Sequence, residues 1–590
     1  TVDVANIDAV TGVKQIQLLG LTHNYTQILL ESVPNIHGLA SSYGLLFIPG
    51  AWMESISIST GTASVTRGYE SITGQINVQL NGVENPEDIL FNAYFNELTR
   101  AELNLLTKHK IGKNFFINNF LHGNFFNRKI DHNSDGFLDL PTNLQFNILE
   151  KINYKSDAFE NESFLHVVYN NSKSGQLGYF YAPLTNSFWG ADVSIKRLNF
   201  ATKNGFIFEG NKSLGTILSF IHHKQNSFFG NRFFDAEQNS VFTSILWSST
   251  ENTLTSATNQ NHPTKFNLTV GLSYAYNKYS QYLENVNLSK EESVPGVFTE
   301  LTISPLEQML IVLGSRLDFH NLAGKLFTPR VHIKYDLDEN NILRLSLGKG
   351  FHFPLPMIEN QSILTSSRQI LFVEDLKIEE AWNFGLSVSS NVVVLGNFFT
   401  LNLSYYHTNF VNQTIIDRDI FAERIYIYNK TGKSYSNSFQ IDISAEVSPD
   451  LAFLAAYRLN DVWMTTNNIL QRKPLVSLHK AFLNIAFSKN PVMLDFTIES
   501  NGGGRLPNTE SYPAEYRLSQ RYKPFVVLYG QVTFKLGAFD LYLGAENIGN
   551  FKQINPIIAA DKPFSNYFDG SIIWGPIDGR KVYVGLRYSN

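Results

Sequence analysis

The chain has 590 residues, a net charge of −5, 17 % charged and 13 % aromatic residues, and no cysteine. That length exceeds one ordinary soluble core, and the charge balance excludes a basic field for nucleic acid. The missing cysteines exclude a disulfide scaffold, thiolate metal sites and cysteine catalysis.

Residues 1–83 read as a small α/β unit. Val13, Ile16 and Leu18, then Ile28, Leu29 and Leu30, suggest strands on either side of a turn at Gly20–Asn24. In Trp52–Leu80, Ile56 and Ile58 alternate with Ser55, Ser57 and Ser59. Gly61 breaks that strand, and Ile72, Ile76 and Val78 carry another. Gly68 and Gly74 suit corners that need positive φ. VENPEDI at 83–89 is polar, contains Pro86 and reads as a linker. The division is therefore 1–83 and 84–590.

From Ile89 onward the pattern is strand, turn, strand. Phe266, Leu268, Val270, Leu272, Tyr274 and Tyr276 alternate with Asn267, Thr269, Gly271, Ser273, Ala275 and Asn277. Leu343, Leu345 and Leu347, and Val582, Val584, Leu586 and Tyr588, repeat the rule. Such alternation puts one face in an apolar medium and the other in a polar one. The polar face carries Arg344, Asp442, Asp495, Glu499, Glu546 and Arg587, which a soluble sandwich would also allow. Two features favour a membrane barrel. Aromatics gather near strand ends, as in Tyr274, Tyr276 and Tyr279 or Tyr405 and Tyr406, and short connections such as 336–341 and 448–450 alternate with long ones. The long ones include 125–142, 171–189, 224–233, 353–377, 410–433, 464–477, 500–522 and 547–577. No apolar run approaches the ~18 residues of a membrane helix. About 22 strands over residues 89–590 give roughly 23 residues per strand and connection, near the 9–11 of a tilted strand plus a loop. A lumen that wide needs filling.

The segments GVKQIQLLGL (12–21), YTQILLESVP (25–34) and IPGAWMESISISTGTASVTRGYESITGQINV (48–78) resemble the later part of the plug of TonB-dependent outer-membrane receptors. SSRQILFVEDLKIEEAWNFGLS (366–387), KPFSNYFDGSIIWGPIDGR (562–580) and the end of the chain resemble the barrel of that family as found in Bacteroidota. The resemblance implies an all-β membrane protein: an antiparallel transmembrane β-barrel of about 22 strands with the N-terminal unit as a plug in its lumen. It implies a monomer in outer-membrane lipid that actively imports a scarce solute, a ferric siderophore or other metal chelate being the first expectation. The family further implies TonB and its inner-membrane energising complex as partners. Cobalamin, a metal ion, a peptide or a glycan are alternative cargoes. A passive or gated pore and a surface adhesion barrel are alternative functions. A signal peptide and the coupling motif are expected upstream of Thr1. Such barrels commonly end in an aromatic residue, whereas Ser589 and Asn590 follow Tyr588 here.

By the same resemblance, the outward apices of the plug supply His23, Asn24, Tyr25, Asn35, His37, Tyr43 and Trp52 as candidate ligand contacts; the alternative is packing inside the plug. Asp131, Asn133 and Asp135 followed by Gly136, with Asp139 beyond, match the spacing of a calcium loop, the one cofactor expectation. Thr142 stands where such a loop has its bidentate Glu, and an Asx-turn loop is the alternative. His222 and His223 are adjacent on a strand and face opposite ways, so they suit no common metal. His352, with Met357 nearby, reads as loop packing before a soft-metal site. Tyr179, Phe180, Tyr181 and Trp189 form a stacking rim or stiffen a loop. Glu379 and Glu380 read as solvated charges. No G-x-S-x-G, H-E-x-x-H or P-loop occurs, and GTASVTRG (61–68) lacks the lysine and glycine spacing of a phosphate cradle. An enzyme is not expected.

Overall fold

The computed structural model describes residues 2–82, 87–181, 187–253, 264–394 and 396–590; linker residues 83–86 lie outside them. From Ile89 on, 22 antiparallel strands close into a barrel. The last strand, Lys581–Ser589, pairs with the first, Ile89–Asn96, and the Asp88 and Ile89 amides donate to the Asn590 carbonyl. Closure removes both sheet edges, as a lipid environment demands of any spanning sheet. No helix among the described residues is long and apolar enough to cross a membrane.

The alternation predicted for 266–277 sets the two faces. Leu268, Val270 and Leu272 are 44, 38 and 60 % exposed on the lipid side, while Ser273 is buried on the lumen side. Tyr279 departs from the expected girdle. It lies an odd number of positions from Tyr274, so it faces inward, is buried, and approaches Gly38. Connections alternate as expected, with one correction. Residues 224–233 are not a long loop: Lys212–Phe229 and Arg232–Thr253 pair up to a tight turn at Gly230–Asn231. These strands have 18 and 22 residues, far more than the ~10 a membrane needs, so the pairing continues beyond the bilayer.

Inside the barrel lie two small sheets. Strands β1 (Val2–Asn6), β2 (Lys14–Leu18) and β3 (Leu21–Thr22) form an antiparallel set. Strands β4 (Thr26–Leu30), β5 (Val33–Ile36), β6 (Met53–Thr60) and β7 (Gly74–Leu80) form a mixed sheet in the order β5-β4-β7-β6. Helix is limited to short turns such as α1 (Ala40–Tyr43). β6 is the edge strand and both its faces are open, so the alternating Ile56 and Ile58 are exposed. Gly74 has φ +154, and a Cβ there would meet the Ser59 carbonyl oxygen at 2.3 Å. Glycine is thus required where β7 starts beside β6.

The barrel wall satisfies the plug's irregular backbone with long polar side chains. Arg330 donates to the carbonyls of Ala63, Ser64, Tyr69 and Glu70 at 2.5–3.2 Å. Arg197 donates to the Asn35 carbonyl (2.8 Å), Arg316 to that of Val65 (3.2 Å) and Asn147 to that of Phe47 (2.8 Å). Lys151 pairs with Glu31 at 2.7 Å, both buried. These donors replace the water that buried carbonyls would otherwise lack.

Candidate functional site

The plug reaches toward the long loops at the turn from β3 into β4. Leu19 (φ +56) and Gly20 (φ +73) reverse the chain after β2. A Cβ on Gly20 would sit 2.7 Å from a methyl of Val462 in the wall, so the close approach also calls for glycine. His23–Tyr25 then form a single 3₁₀ turn.

Above that turn is a cavity of about 200 Å³, lined by Asn24 and Tyr25 of the plug and by residues of the long loops, among them Glu359, Gln413, Arg418 and Lys473. The Tyr25 hydroxyl donates to Glu379 Oε1 (2.9 Å) and accepts from Gln413 Nε2 (3.0 Å). Burial and the Glu379 carboxylate hold the phenol protonated. Asn24 Nδ2 donates to Glu359 Oε2 (3.1 Å), and the Thr414 amide donates to Glu379 Oε1 (2.7 Å). His352 Nε2 stands 2.8 Å from Glu359 Oε1 and 3.9 Å from Glu379 Oε2, one imidazole shared by two carboxylates. The plug apex is therefore tied directly to the loops after two wall strands.

The cations of this cavity are placed differently. Asp419 is taken by Arg505 at 2.8 Å. Lys473 and Arg418 make no ion pair among the described residues; Arg418 donates only to the Ser571 carbonyl (3.0 Å). Burial lowers Lys473 to about 8, against an opposing pull from Glu379, and burial also lowers Arg418. Lys473 remains charged near neutrality, and both side chains line the cavity beside Glu359 and Glu379.

A larger space of about 710 Å³ runs beside β1, between it and the wall. Ala5, Asn6, Gln17, Leu475 and Ile573 line both cavities, so the β1–β2 hairpin stands between them. Asp3 holds the hairpin to the wall through Arg458 (2.7 Å) and Lys480 (3.5 Å). On the loop side, Arg368 is fully buried. It reaches Asp569 at 3.2 Å and donates to the carbonyls of Arg418, Phe421 and Arg424, knotting three loops together. The last long loop touches the plug itself, where the Ala9 amide donates to the Gly570 carbonyl (2.7 Å).

The predicted site residues divide accordingly. Asn24 and Tyr25 line the outer cavity. His23, Asn35 and His37 border a smaller internal cavity. Tyr43 is buried in α1. Trp52, expected at an outward apex, is instead packed between Phe120, His122 and His166 of the wall, with no exposed surface. In the 131–139 loop the acids bind their own backbone. Asp131 accepts from the Gly136 amide (3.0 Å), Asp135 from that of Phe137 (2.8 Å) and Asp139 from that of His132 (2.9 Å). Burial raises Asp135 and Asp139. His223 is fully buried while His222 is open and bonds Asn239 at 2.8 Å, on opposite faces as the spacing requires. Trp189 packs at a tilt against Phe137 and Phe568, joining three loops.

Sequence reading missed Lys473, Arg418, Glu359 and Gln413. It also misread Glu379, which is buried rather than solvated, while Glu380 pairs with Lys349 at 2.7 Å. The available signal was strand alternation: two adjacent acids at a strand start cannot both face out.

The family described as TonB dependent receptor-like, beta-barrel matches residues 100–548. A search of curated protein sequences found no match. Among solved structures, the chain resembles a mutant ferric enterobactin receptor from Pseudomonas aeruginosa in complex with enterobactin. The TM-score is 0.77 at 12 % identity, covering 100 % of this chain and 95 % of that one. It also resembles the siderophore receptor PirA from Acinetobacter baumannii (0.72, 13 %, 100 % and 94 %). The ferric-catecholate import receptor Fiu from E. coli is similar as well (0.71, 12 %, 100 % and 93 %). At these identities the likeness establishes the fold. With the family match over most of its length and a closed barrel around a folded N-terminal unit, the chain belongs to the TonB-dependent receptors of the outer membrane.

Proposed function

We propose that this receptor captures an anionic metal chelate of the ferric-siderophore type in its outer cavity and imports it with energy delivered through TonB. The carrying observation is the pair of cations, Lys473 and Arg418, that line the cavity and make no ion pair among the described residues. A chelate of iron by catecholate or hydroxamate oxygens presents negative charge and aromatic or amide surface. Asn24, Tyr25 and Gln413 add polar atoms that orient such a ligand. Structural neighbours named as siderophore receptors support the same class.

The cavity's 200 Å³ falls below the ~300–1,000 Å³ of typical small-molecule sites. A chelate therefore enters by displacing loops, and the Arg368–Asp569 knot is the natural resistance to that motion. Tight capture then creates the need for work. At a Kd of ~10⁻⁹ M the ligand is held by about 12 kcal/mol. With an association rate of ~10⁶ M⁻¹s⁻¹ it leaves about once per thousand seconds. Pulling on the plug shortens that time. The β1–β2 hairpin, which separates the outer cavity from the space beneath it, is the element whose movement opens a path.

Binding of a ligand panel to the purified receptor tests this reading. Ferric chelates of net negative charge are expected to bind at sub-micromolar concentration, and neutral or cationic chelates of similar size about tenfold more weakly or worse. Equal binding of all charges, or of none, would overturn it.

A further inference from the structure

One sector of the wall, from Gly190–Phe208 to Thr264–Leu283, carries its strand pairing well past the bilayer, and its lipid-side face changes character on the way out. On the strand Lys212–Phe229, Leu218 and Phe220 are 45 and 37 % exposed and belong to the apolar band. The next outward positions are His222, Lys224 and Asn226, and then Phe228. The neighbouring strand Arg232–Thr253 repeats the order, from Val241 through Asn239, Glu237 and Asp235 to Phe233, which is 63 % exposed. On Thr264–Leu283 the outermost residue of this face is Tyr282, 49 % exposed. An apolar band, a polar belt and an aromatic tier thus follow one another. Phe228 lies eight residues beyond Phe220, or ~27 Å along the strand. At a tilt of ~40° the tier stands about 20 Å above the band.

Within the belt, Lys196 and Lys224 are exposed and stand directly opposite each other on paired strands, where like charges repel. Neither makes a hydrogen bond or ion pair among the described residues. The acids around them are already engaged. Asp192 is held by Lys173 (3.1 Å) and Asp235 by Asn226 (2.8 Å). Glu237, the other cross-strand neighbour of Lys224, accepts from Asn239 (3.0 Å). In the tier above, Phe228 packs against Tyr179 and Phe233, with ring centroids at 5.9 and 6.2 Å, while Phe233 and Tyr282 turn outward. A phospholipid headgroup layer is only about 5–8 Å thick. It would end within the belt and leave the aromatics in water. A headgroup that carries phosphate and then sugars is thick enough to meet both levels.

We propose that this outward face binds the headgroup of a phosphorylated glycolipid of the outer leaflet, with its phosphate at Lys196 and Lys224 and its sugars against Phe228, Phe233 and Tyr282. A phosphate turns the repulsion between two ammonium groups into a shared attraction. The apolar faces of sugar rings cover the aromatic tier, which otherwise exposes hydrophobic surface well above the lipid tails. Acyl chains of the same molecule pack on the band at Leu218 and Phe220. The face points away from the lumen, so the site is independent of what the outer cavity captures.

The test uses the purified full chain, delipidated in detergent and titrated with four lipids under native mass spectrometry. These are rough lipopolysaccharide (lipid A with its inner-core sugars), the same lipid with its phosphates removed, lipid A without core sugars, and phosphatidylglycerol. Rough lipopolysaccharide is expected to be retained most tightly, and phosphatidylglycerol about tenfold more weakly or worse. Removing the phosphates, or making Lys196→Gln and Lys224→Gln together, should each weaken rough lipopolysaccharide by about 10- to 30-fold. Phe233→Ser should weaken rough lipopolysaccharide and leave lipid A without sugars unchanged. Lys535→Gln, at the short-turn end of the wall, should change nothing. Heat-modifiable gel migration confirms that each variant barrel is folded. Phosphatidylglycerol held as tightly as rough lipopolysaccharide, or equal retention after the phosphates are removed, would overturn the proposal. Unchanged retention by the folded double variant would overturn it by placing the lipid elsewhere.

Discussion

Replacing Lys473 by Gln removes a half-buried charge that makes no ion pair among the described residues and faces the outer cavity. An anionic oxygen ~5 Å from the amine gains about 3 kcal/mol at an effective dielectric of ~20. The cavity is open to solvent, so water and salt screen this to about 1–2 kcal/mol, or about 5- to 30-fold in Kd. The sign with pH follows from burial, which lowers the amine to about 8. The free receptor then carries this charge in about nine chains of ten at pH 7 and about one of ten at pH 9. Anion affinity falls as pH rises through that value, by up to about tenfold. Binding at pH 8 takes up about half a proton, because the anion raises the amine again. Calorimetry with an anionic ferric chelate, at pH 7, 8 and 9 and in buffers of different ionisation enthalpy, reads both quantities. Lys473→Gln should show weaker binding and lose that pH dependence. A flat profile in the unaltered receptor, or the same fall in Lys473→Gln, refutes the role assigned to this residue.

Three further outcomes are expected. Gly74→Ala places a methyl 2.3 Å from the Ser59 carbonyl oxygen at φ +154, which should destabilise the plug by about 2 kcal/mol or more. Faster proteolysis of the plug within an intact barrel would register it, and unchanged protection would contradict it. Arg330→Met strips the donors from four plug carbonyls, at about 1–3 kcal/mol for each left unsatisfied. Planar-bilayer conductance should rise above that of the unaltered receptor; equal conductance would show that Arg330 does not hold the plug. Calcium calorimetry should give no saturable heat below ~1 mM, because the acids of the 131–139 loop already accept from their own amides. Heat that disappears in Asp131→Ala would restore the ion.

The barrel was legible because a membrane wall imposes a period of two on every strand, and Leu268 to Tyr276 follow it without exception. Loop alternation was legible in part: the long loops lie at one end, but that end also carries tight turns such as Gly230–Asn231. Reading failed where pairing runs past the bilayer. Phe228, Phe229 and Gly230 look like a loop by composition, yet they cap two strands much longer than lipid requires. The cavity was less legible still. Tyr25 meets Glu379 and Gln413 more than 350 residues away, and Asn24 meets Glu359 at a separation of 335. No local pattern encodes which loops converge above the plug. Trp52 misled for a related reason: an aromatic after a turn fits an apex as well as it fits the seam, and only the position of Phe120 and His166 decides.

Uptake of a radiolabelled anionic ferric chelate by cells producing this receptor, with and without functional TonB, addresses the central claim most directly. Saturable surface binding is expected in both strains and accumulation only with TonB, with Lys473→Gln reducing both. Accumulation that persists without TonB, or absence of binding for every anionic ferric chelate tried, would contradict it.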